Sequence, residues 1–575
     1  MFKKNNTQIA VFILALCSSI NSFAQELRYE KNQTLSYPEV ISAWQSIDRQ
    51  SDLVDILEMG LTDAGIPLHL VLISSEKNPK NQLAKRDKIR ILINNGIHPG
   101  EPDGIDASLQ LVKDVLKKGN LPNDVLLCII PAYNIDGMLN RNCCSRANQN
   151  GPEEYGFRGN ARNLDLNRDF IKNDSRNAQS FVQLFQLVDP HILVDTHVSN
   201  GADYQYTMTL LMTQPDKLGA QGEWCRSNLI PHLYSEMEKK NQPMIPYVNH
   251  IGKTPESGIA DFLETPRFAT GYAALWGCIG ITTETHMLKA YPDRVKATTT
   301  LLHIVIESAS LYKKDIQTMK EKFSSFQYNP EQMVQLGMNY ELDTNRQEQI
   351  PFLGYEAVFE PSKISGETRL RYDRNKPYKK NIPYYNHYQS TLKKTVPKAY
   401  IIPFAWKEVI DRLKLNHIAM LSLQKDSSIK VTSTYINSFE TVKKPYEGHY
   451  LHYNTRVTEK QEMRNFHKGD VLVYTSQPAW RFLVETLEPE SVDSYFNWNF
   501  FDAIVQQKEW FSDYVFEDYA ENYLKEHPEL EEELKQKKAN DPEFAKDGFA
   551  QLYFIYLRSP YYEKTHNLYP VAKLF

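Results

Sequence analysis

Six cysteines in 575 residues are too few for a disulfide-stapled scaffold, and no two of them form a Cys-x-x-Cys pair of the kind a cysteine zinc site uses. Glycine (24) and proline (30) are not enriched and show no period, which excludes a collagen-like repeat and a mostly disordered chain. No apolar run approaches the roughly 20 residues that a membrane-spanning helix needs. An excess of positive charge is also missing. Lys+Arg number 66 against 71 Asp+Glu, a net charge of −5, so the chain lacks the electrostatic footprint of a nucleic-acid binder. What remains is ordinary globular composition, 41% hydrophobic and 24% charged, with length for two to four domains.

The first 24 residues read as a secretory signal. Lys3 and Lys4 precede the apolar run Ile9–Cys17, and Ser22-Phe23-Ala24 places small residues at the −3 and −1 positions of a cleavage site. Removal after Ala24 is expected to leave an exported protein, periplasmic or extracellular, that does not span a membrane. It would carry five cysteines: Cys128, Cys143, Cys144, Cys225 and Cys278. That count is odd, and adjacent Cys143 and Cys144 are expected not to bridge each other, because a vicinal bridge strains the backbone.

From about residue 88 to 310, apolar strands alternate with amphipathic helices. Strands are expected at Arg90–Asn94, Val125–Pro131, His191–His197 and Ile279–Glu284. Helices are expected at Asp103–Lys118, Ser175–Val188 and from Pro292 to about Phe323. This order predicts an α/β fold with a mixed, mostly parallel sheet flanked by helices. After about residue 325 the texture changes to a β-rich α+β region. Strands are expected there at Tyr400–Phe404, Ile418–Leu423, Ile429–Ile436 and Val471–Tyr474, with a charged helix at Leu530–Lys538. Tyr474–Tyr519 holds 13 aromatics in 46 residues, which suits a buried interdomain core or a stacking surface built on Trp480, Trp498 and Trp510. The expected division is therefore 1–24, 25–325 and 326–575.

Four elements bear chemistry. His98-Pro-Gly-Glu101 follows a strand and can place an imidazole and a carboxylate on one metal ion. The spacing alone is uninformative, since His467 and Asp470 repeat it. Its position at a strand-to-loop junction is what counts. The strand His191–His197 ends in Asp195 and His197, which share a face by period-two alternation. Residues 158–170 cluster Arg158, Arg162 and Arg168 with Asn160 and Asn167, suited to holding a carboxylate. Glu284 closes the fourth element at a strand end, where a carboxylate can serve as general base.

In this order, His98-x-x-Glu101, Asn134-Ile-Asp-Gly137, Asp165-Leu-Asn-Arg168, Asp195-Thr-His197 and Thr282-Thr-Glu284 resemble the zinc carboxypeptidases of the carboxypeptidase A-like family. The chain is similar to a large exported bacterial member with a C-terminal extension, and the resemblance covers about residues 40–310. It implies one Zn2+ ligated by His98, Glu101 and His197, with Glu284 as general base and proton donor. Arg158 would steady the oxyanion, Asn167 and Arg168 would hold the substrate's terminal carboxylate, and Asp165 would orient His98. The family's mobile tyrosine is matched by Tyr272, although it stands closer to Glu284 than the family spacing. His286 has no family role. The implied activity is hydrolysis of the C-terminal peptide bond of peptides. The alternatives are a zinc amidohydrolase of acylase type acting on N-acyl amino acids, trimming of cell-wall stem peptides, and a non-catalytic binding protein. Oligomeric state is not readable.

Overall fold

The computed structural model describes residues 26–575, so the expected signal segment lies outside the described residues. The chain packs as two compact units. One runs through Val396 and adds Asp411–Ala419 and Tyr474–Thr486. The other comprises Pro397–Ile410, Met420–Val473 and Leu487–Phe575.

The first unit is built on an eight-stranded sheet. Its strands are Val54–Leu61 (β1), Pro67–Ile73 (β2), Ile89–Asn94 (β3), Val125–Ile130 (β4), Ile192–Ser199 (β5), Met208–Met212 (β6) and Met244–Pro246 (β7). The short strands Asn249–His250 (β8) and Ile259–Ala260 (β9) lie apart from it, and Ile279–His286 (β10) completes it. The order is β1-β2-β4-β3-β5-β10-β6-β7, and the central four strands β4, β3, β5 and β10 run parallel. Every residue of β3, β4 and β5 is buried, as expected for strands covered by helices on both faces.

Helices on this sheet follow their sequence signals. Asp103–Lys118 has Asp103 and Asp106 in its first turn, Lys117 and Lys118 in its last, and Gly119 in the left-handed cap. Gly104 is required there, because a Cβ would stand 2.0 Å from Thr196 Oγ1 on β5. This close approach seats the helix start against the strand that carries His197. Arg176–Val188 is capped by Ser175, whose side chain accepts from Ala178 N. The helix expected from Pro292 to Phe323 divides into Tyr291–Leu311 and Lys313–Ser324. At the break, the Tyr312 ring packs edge-on against Trp224 and His232.

Beyond the sheet, the first unit contains four longer strands that hydrophobic pattern did not mark: Gln335–Leu342 (β11), Glu348–Pro361 (β12), Thr368–Tyr385 (β13) and Tyr388–Thr395 (β14), the last paired antiparallel with β11. β12 and β13 form a long hairpin, and the end of β13 pairs in parallel with β9, Tyr384 opposite Ile259. A small core of Tyr204, Tyr206, Ile245, Val248, Ile259, Phe352 and Ile382 lies beneath this hairpin.

The second unit contains most of a six-stranded sheet in which the long strands Ser427–Thr441 and His452–Phe466 pair antiparallel. The helix Pro528–Asn540 belongs to a helical cluster with its own core around Phe516, Leu530, Leu552 and Tyr556. Strands at Ala399–Ile402 and Val471–Tyr474 lie where the sequence marks them. The expected strand Ile418–Leu423 shrinks to Leu421–Ser422, because His417 takes a left-handed conformation (φ 56°) just before it. Trp498 is fully buried and Trp510 is 59% exposed. Trp480, in the first unit, stacks on Phe326.

Cys143 and Cys144 are bridged, with S–S 1.98 Å, which corrects the expectation that adjacent cysteines stay apart. Both sit on an exposed loop between Asn142 and Arg146, where Asn142 Oδ1 accepts from the Cys144 and Ser145 N–H groups and holds the backbone in a turn. Cys128, Cys225 and Cys278 are buried free thiols.

Candidate active site

The parallel strands β3, β5 and β10 deliver the site at their C-terminal ends, where α/β sheets place ligand clefts. β3 ends at Asn94, and the turn after it carries His98 and Glu101, each 3% exposed. His197 stands on β5 directly opposite Glu284 on β10 in the parallel register, so both side chains leave the same face.

The three proposed ligand atoms converge. One atom from each of His98, Glu101 and His197 lies within 4.8 Å of the other two. His98 Nδ1 is 3.3 Å from Glu101 Oε1, and His197 Nδ1 is 3.1 Å from Glu101 Oε2. The far nitrogens are both held by carboxylates. His98 Nε2 is 3.0 Å from Asp165 Oδ1, and His197 Nε2 is 2.8 Å from Asp195 Oδ2. With a proton fixed on each Nε2, each Nδ1 lone pair faces inward. Buried His98 Nδ1 has no hydrogen-bond partner. Two imidazole nitrogens and a carboxylate, with an orphaned ring nitrogen among them, fit a zinc ion with an open position. The second match to the motif is different: His467 is exposed with its ring toward Asp426, and Asp470 accepts the backbone N–H groups of His467 and Phe404.

The arginine-rich loop folds back onto this trio. Asp165 receives Arg158 Nη2 at 2.8 Å and the Asn167 backbone N–H at 2.9 Å, so one carboxylate ties His98, Arg158 and Asn167 together. Burial alone raises the Asp165 pKa, but His98 and the Arg158 and Arg168 guanidiniums outweigh it and hold the carboxyl far below its usual range. Arg168 lies 4.4 Å over the Phe268 ring and donates to the Asn167 carbonyl. The Asn134–Gly137 turn supports this loop: Asn134 Nδ2 donates to Arg158 O at 2.8 Å. A Cβ on Gly137 would stand 2.3 Å from Phe157 O.

A cavity of about 280 Å³ opens onto these groups. His98, Glu101, Arg158, Asn167, Arg168, His197 and Glu284 all line it. Glu284 Oε2 is buried without a partner, and burial, aided by Glu101 and Glu264, pushes its pKa up to about 8. Burial works against ionised Glu101 too, yet Arg146, His98 and His197 hold its pKa well below the ordinary value.

Tyr272 is not at the cavity. It is a fully buried core residue whose hydroxyl donates to Asn416 Oδ1 at 2.8 Å and whose ring packs on Phe170 and Phe185. The tyrosine on the cavity wall is Tyr247, beside Phe262. His286 is likewise structural. Its Nε2 donates to Ala202 O, its Nδ1 accepts from Leu288 N, and burial lowers its pKa to about 4. Sequence reasoning also missed Arg146, 2.9 Å from Glu101, and Glu264, both on the cavity wall. Asp195 was visible as a neighbour of His197 but not as its partner.

Known proteins place this arrangement. The profile of the zinc carboxypeptidase family matches residues 40–187. That stretch resembles a zinc carboxypeptidase domain, of a family that acts on peptides and depends on zinc. With the relatives that follow, it makes the chain a zinc metallopeptidase, a hydrolase. Carboxypeptidase 2 of Trichophyton equinum is 22% identical over 426 residues, 71% of this chain and 73% of that protein. Carboxypeptidase 2 of Trichophyton rubrum is 22% identical over 440 residues, covering 73% and 75%. Among solved structures, a metallo-carboxypeptidase from Burkholderia cenocepacia is similar over 49% of this chain and 71% of its own, with 16% identity and a TM-score of 0.37. The zinc carboxypeptidase match contains His98, Glu101, Arg158, Asp165, Asn167 and Arg168, while His197 and Glu284 lie beyond it. No helix among the described residues is long and apolar enough to cross a membrane.

Proposed function

We propose that the chain hydrolyses the C-terminal peptide bond of peptides that end in a free carboxylate, using one zinc ion held by His98, Glu101 and His197. The observation that carries this reading is the convergence of those three ligand atoms within 4.8 Å, with Glu284 in register beside His197 and Asn167 and Arg168 on the same cavity. Zinc bound there would polarise the scissile carbonyl and acidify water.

The chain's own residues do the rest. Arg168 and Asn167 hold the substrate's terminal carboxylate, which restricts the enzyme to exopeptidase action. Glu284 takes the proton of the attacking water and delivers it to the leaving amine. Burial and the neighbouring Glu101 and Glu264 carboxyls raise its affinity for that proton. Arg158, anchored on Asp165, steadies the oxyanion as it forms. Export to the periplasm or beyond is part of the same proposal and rests on residues 1–24.

Mass spectrometry of free-acid and C-amidated peptides, incubated with the mature chain with and without a zinc chelator, tests the reading. Loss of single C-terminal residues from free-acid peptides only, blocked by chelator, is expected. Glu284→Gln should keep zinc and lose about 10²- to 10⁴-fold in kcat. Full activity in that variant refutes the assignment of the base. No cleavage by zinc-loaded protein refutes the carboxypeptidase reading and turns attention to N-acyl amino acids and cell-wall stem peptides.

A further inference from the structure

One acid on the cavity wall touches no reacting group in the hydrolysis described above, beyond its electrostatic effect on Glu284. Glu264 is 5% exposed, lines the same cavity as Arg168 and Glu284, and has a buried Oε2 without any hydrogen-bond partner. A buried carboxyl oxygen with no partner costs stability, so its retention calls for a ligand or a structural reason. The backbone around it is pinned. Asp261 N donates to Tyr385 O at 2.9 Å, Tyr388 Oη donates to Asp261 O at 2.7 Å, and Lys217 Nζ donates to Glu264 O itself at 3.0 Å. The side chain therefore projects from a fixed segment, although Lys217 is spent on its carbonyl and Arg168 donates to Asn167 O.

We propose that Glu264 reads the side chain of the residue being released and selects a cationic one, of lysine or arginine type. The inference rests on the carboxypeptidase reading for the placement of the terminal carboxylate at Arg168 and Asn167. A residue anchored there lies in a cavity whose apolar wall includes Leu211, Phe262 and Phe268, suited to an alkyl stem. The Glu264 carboxyl on the same wall then receives the cation at the end of that stem. Burial pushes the Glu264 pKa up to about 7, so the free site carries a nearly neutral acid, and an arriving ammonium or guanidinium stabilises the ionised form. A neutral side chain of equal length leaves the oxygen unpaired, and that difference is the source of discrimination.

The test compares benzoyl-Gly-Lys, benzoyl-Gly-Arg and benzoyl-Gly-norleucine, the last matching the lysine stem without its charge. With zinc-loaded wild type, kcat/KM is expected to favour lysine over norleucine by about 10- to 100-fold, the worth of a hydrogen bond to a charged group. Glu264→Gln should bring that ratio close to one. Calorimetric binding of the lysine and norleucine peptides to the Glu284→Gln variant should show the same ratio in Kd. A wild-type ratio at or below one overturns the proposal, and so does an unchanged ratio in a Glu264→Gln variant that melts like wild type. If that variant fails to fold, the wild-type kcat/KM ratio and the Kd ratio decide. If no peptide is cleaved at all, the carboxypeptidase reading fails, and the Kd ratio still tells whether Glu264 selects a cation.

Discussion

Asp165 is the joint on which the site turns, and Asp165→Asn is the sharpest test of it. In the folded chain its carboxylate accepts from His98 Nε2 at 3.0 Å, Arg158 at 2.8 Å and Asn167 N at 2.9 Å. The first of these fixes the proton on Nε2 and leaves Nδ1 free for the metal. An amide at 165 can turn its NH2 toward the ring, which then carries its proton on Nδ1, the wrong nitrogen for a ligand. Loss of such a partner lowers metal affinity by about 10- to 100-fold, or about 1.4–2.7 kcal/mol. The assay is zinc affinity by competition with a chromogenic chelator at fixed pH, together with the zinc-dependent gain in Tm, which shrinks as affinity falls. Asp195→Asn separates the metal effect from the rest, because Asp195 contacts His197 Nε2 at 2.8 Å and Asn94 Nδ2 at 2.9 Å but not the arginine loop. Both variants should lose zinc affinity. Asp165→Asn should in addition raise KM, since Asn167 and Arg168 lose their anchor. Zinc affinity within twofold of wild type in both variants, with native circular dichroism, refutes the assignment of His98 and His197 as ligands through Nδ1.

Two other consequences concern the body of the domain. Asp106 is fully buried, accepts from Tyr291 Oη at 2.5 Å and has an unpartnered Oδ1; burial raises its pKa to about 7. Because the folded state holds this proton more tightly than the unfolded chain, stability falls as pH rises from about 4 to about 7, by up to about 4 kcal/mol. Asp106→Asn removes that slope, so its Tm relative to wild type should climb between pH 5 and pH 8; a constant difference across that range refutes the argument. Tyr272→Phe should lose about 1 kcal/mol of stability with its bond to Asn416, and leave kcat/KM unchanged, because the ring lies outside the cavity. A tenfold drop in kcat/KM at full zinc content would return Tyr272 to the substrate.

What could be read from the chain alone, and what could not, divides along a physical line. His98 and Glu101 follow directly on a strand, and Asp165, Asn167 and Arg168 share one short turn, so type, spacing and order were enough to single them out as candidates. The strands that lead to His98 and carry His197 are fully buried and apolar, and they stood out for that reason. The hairpin Glu348–Pro361 and Thr368–Tyr385 did not, because much of it is solvated and its residues are charged, which erases the hydrophobic alternation that marks a half-buried strand. At the site, the missed groups are those that reach it from distant sequence. Arg146 meets Glu101 from 45 residues away. Tyr247 and Glu264 come from the chain on either side of β9, and the return of Tyr384 and Tyr385 onto that strand holds the segment in place. Tyr272 illustrates the opposite error. It lies near Glu284 in sequence, but it falls on the short helix Ala269–Ala274, all of whose residues are buried, so its ring belongs to the core. A wall built by tertiary contacts leaves no local pattern, and such walls decide which side chain a cavity accepts. Reaction type was therefore legible from the order of a few motifs, whereas the group that distinguishes one substrate from another, Glu264, emerged only once an unpartnered oxygen could be seen inside the fold.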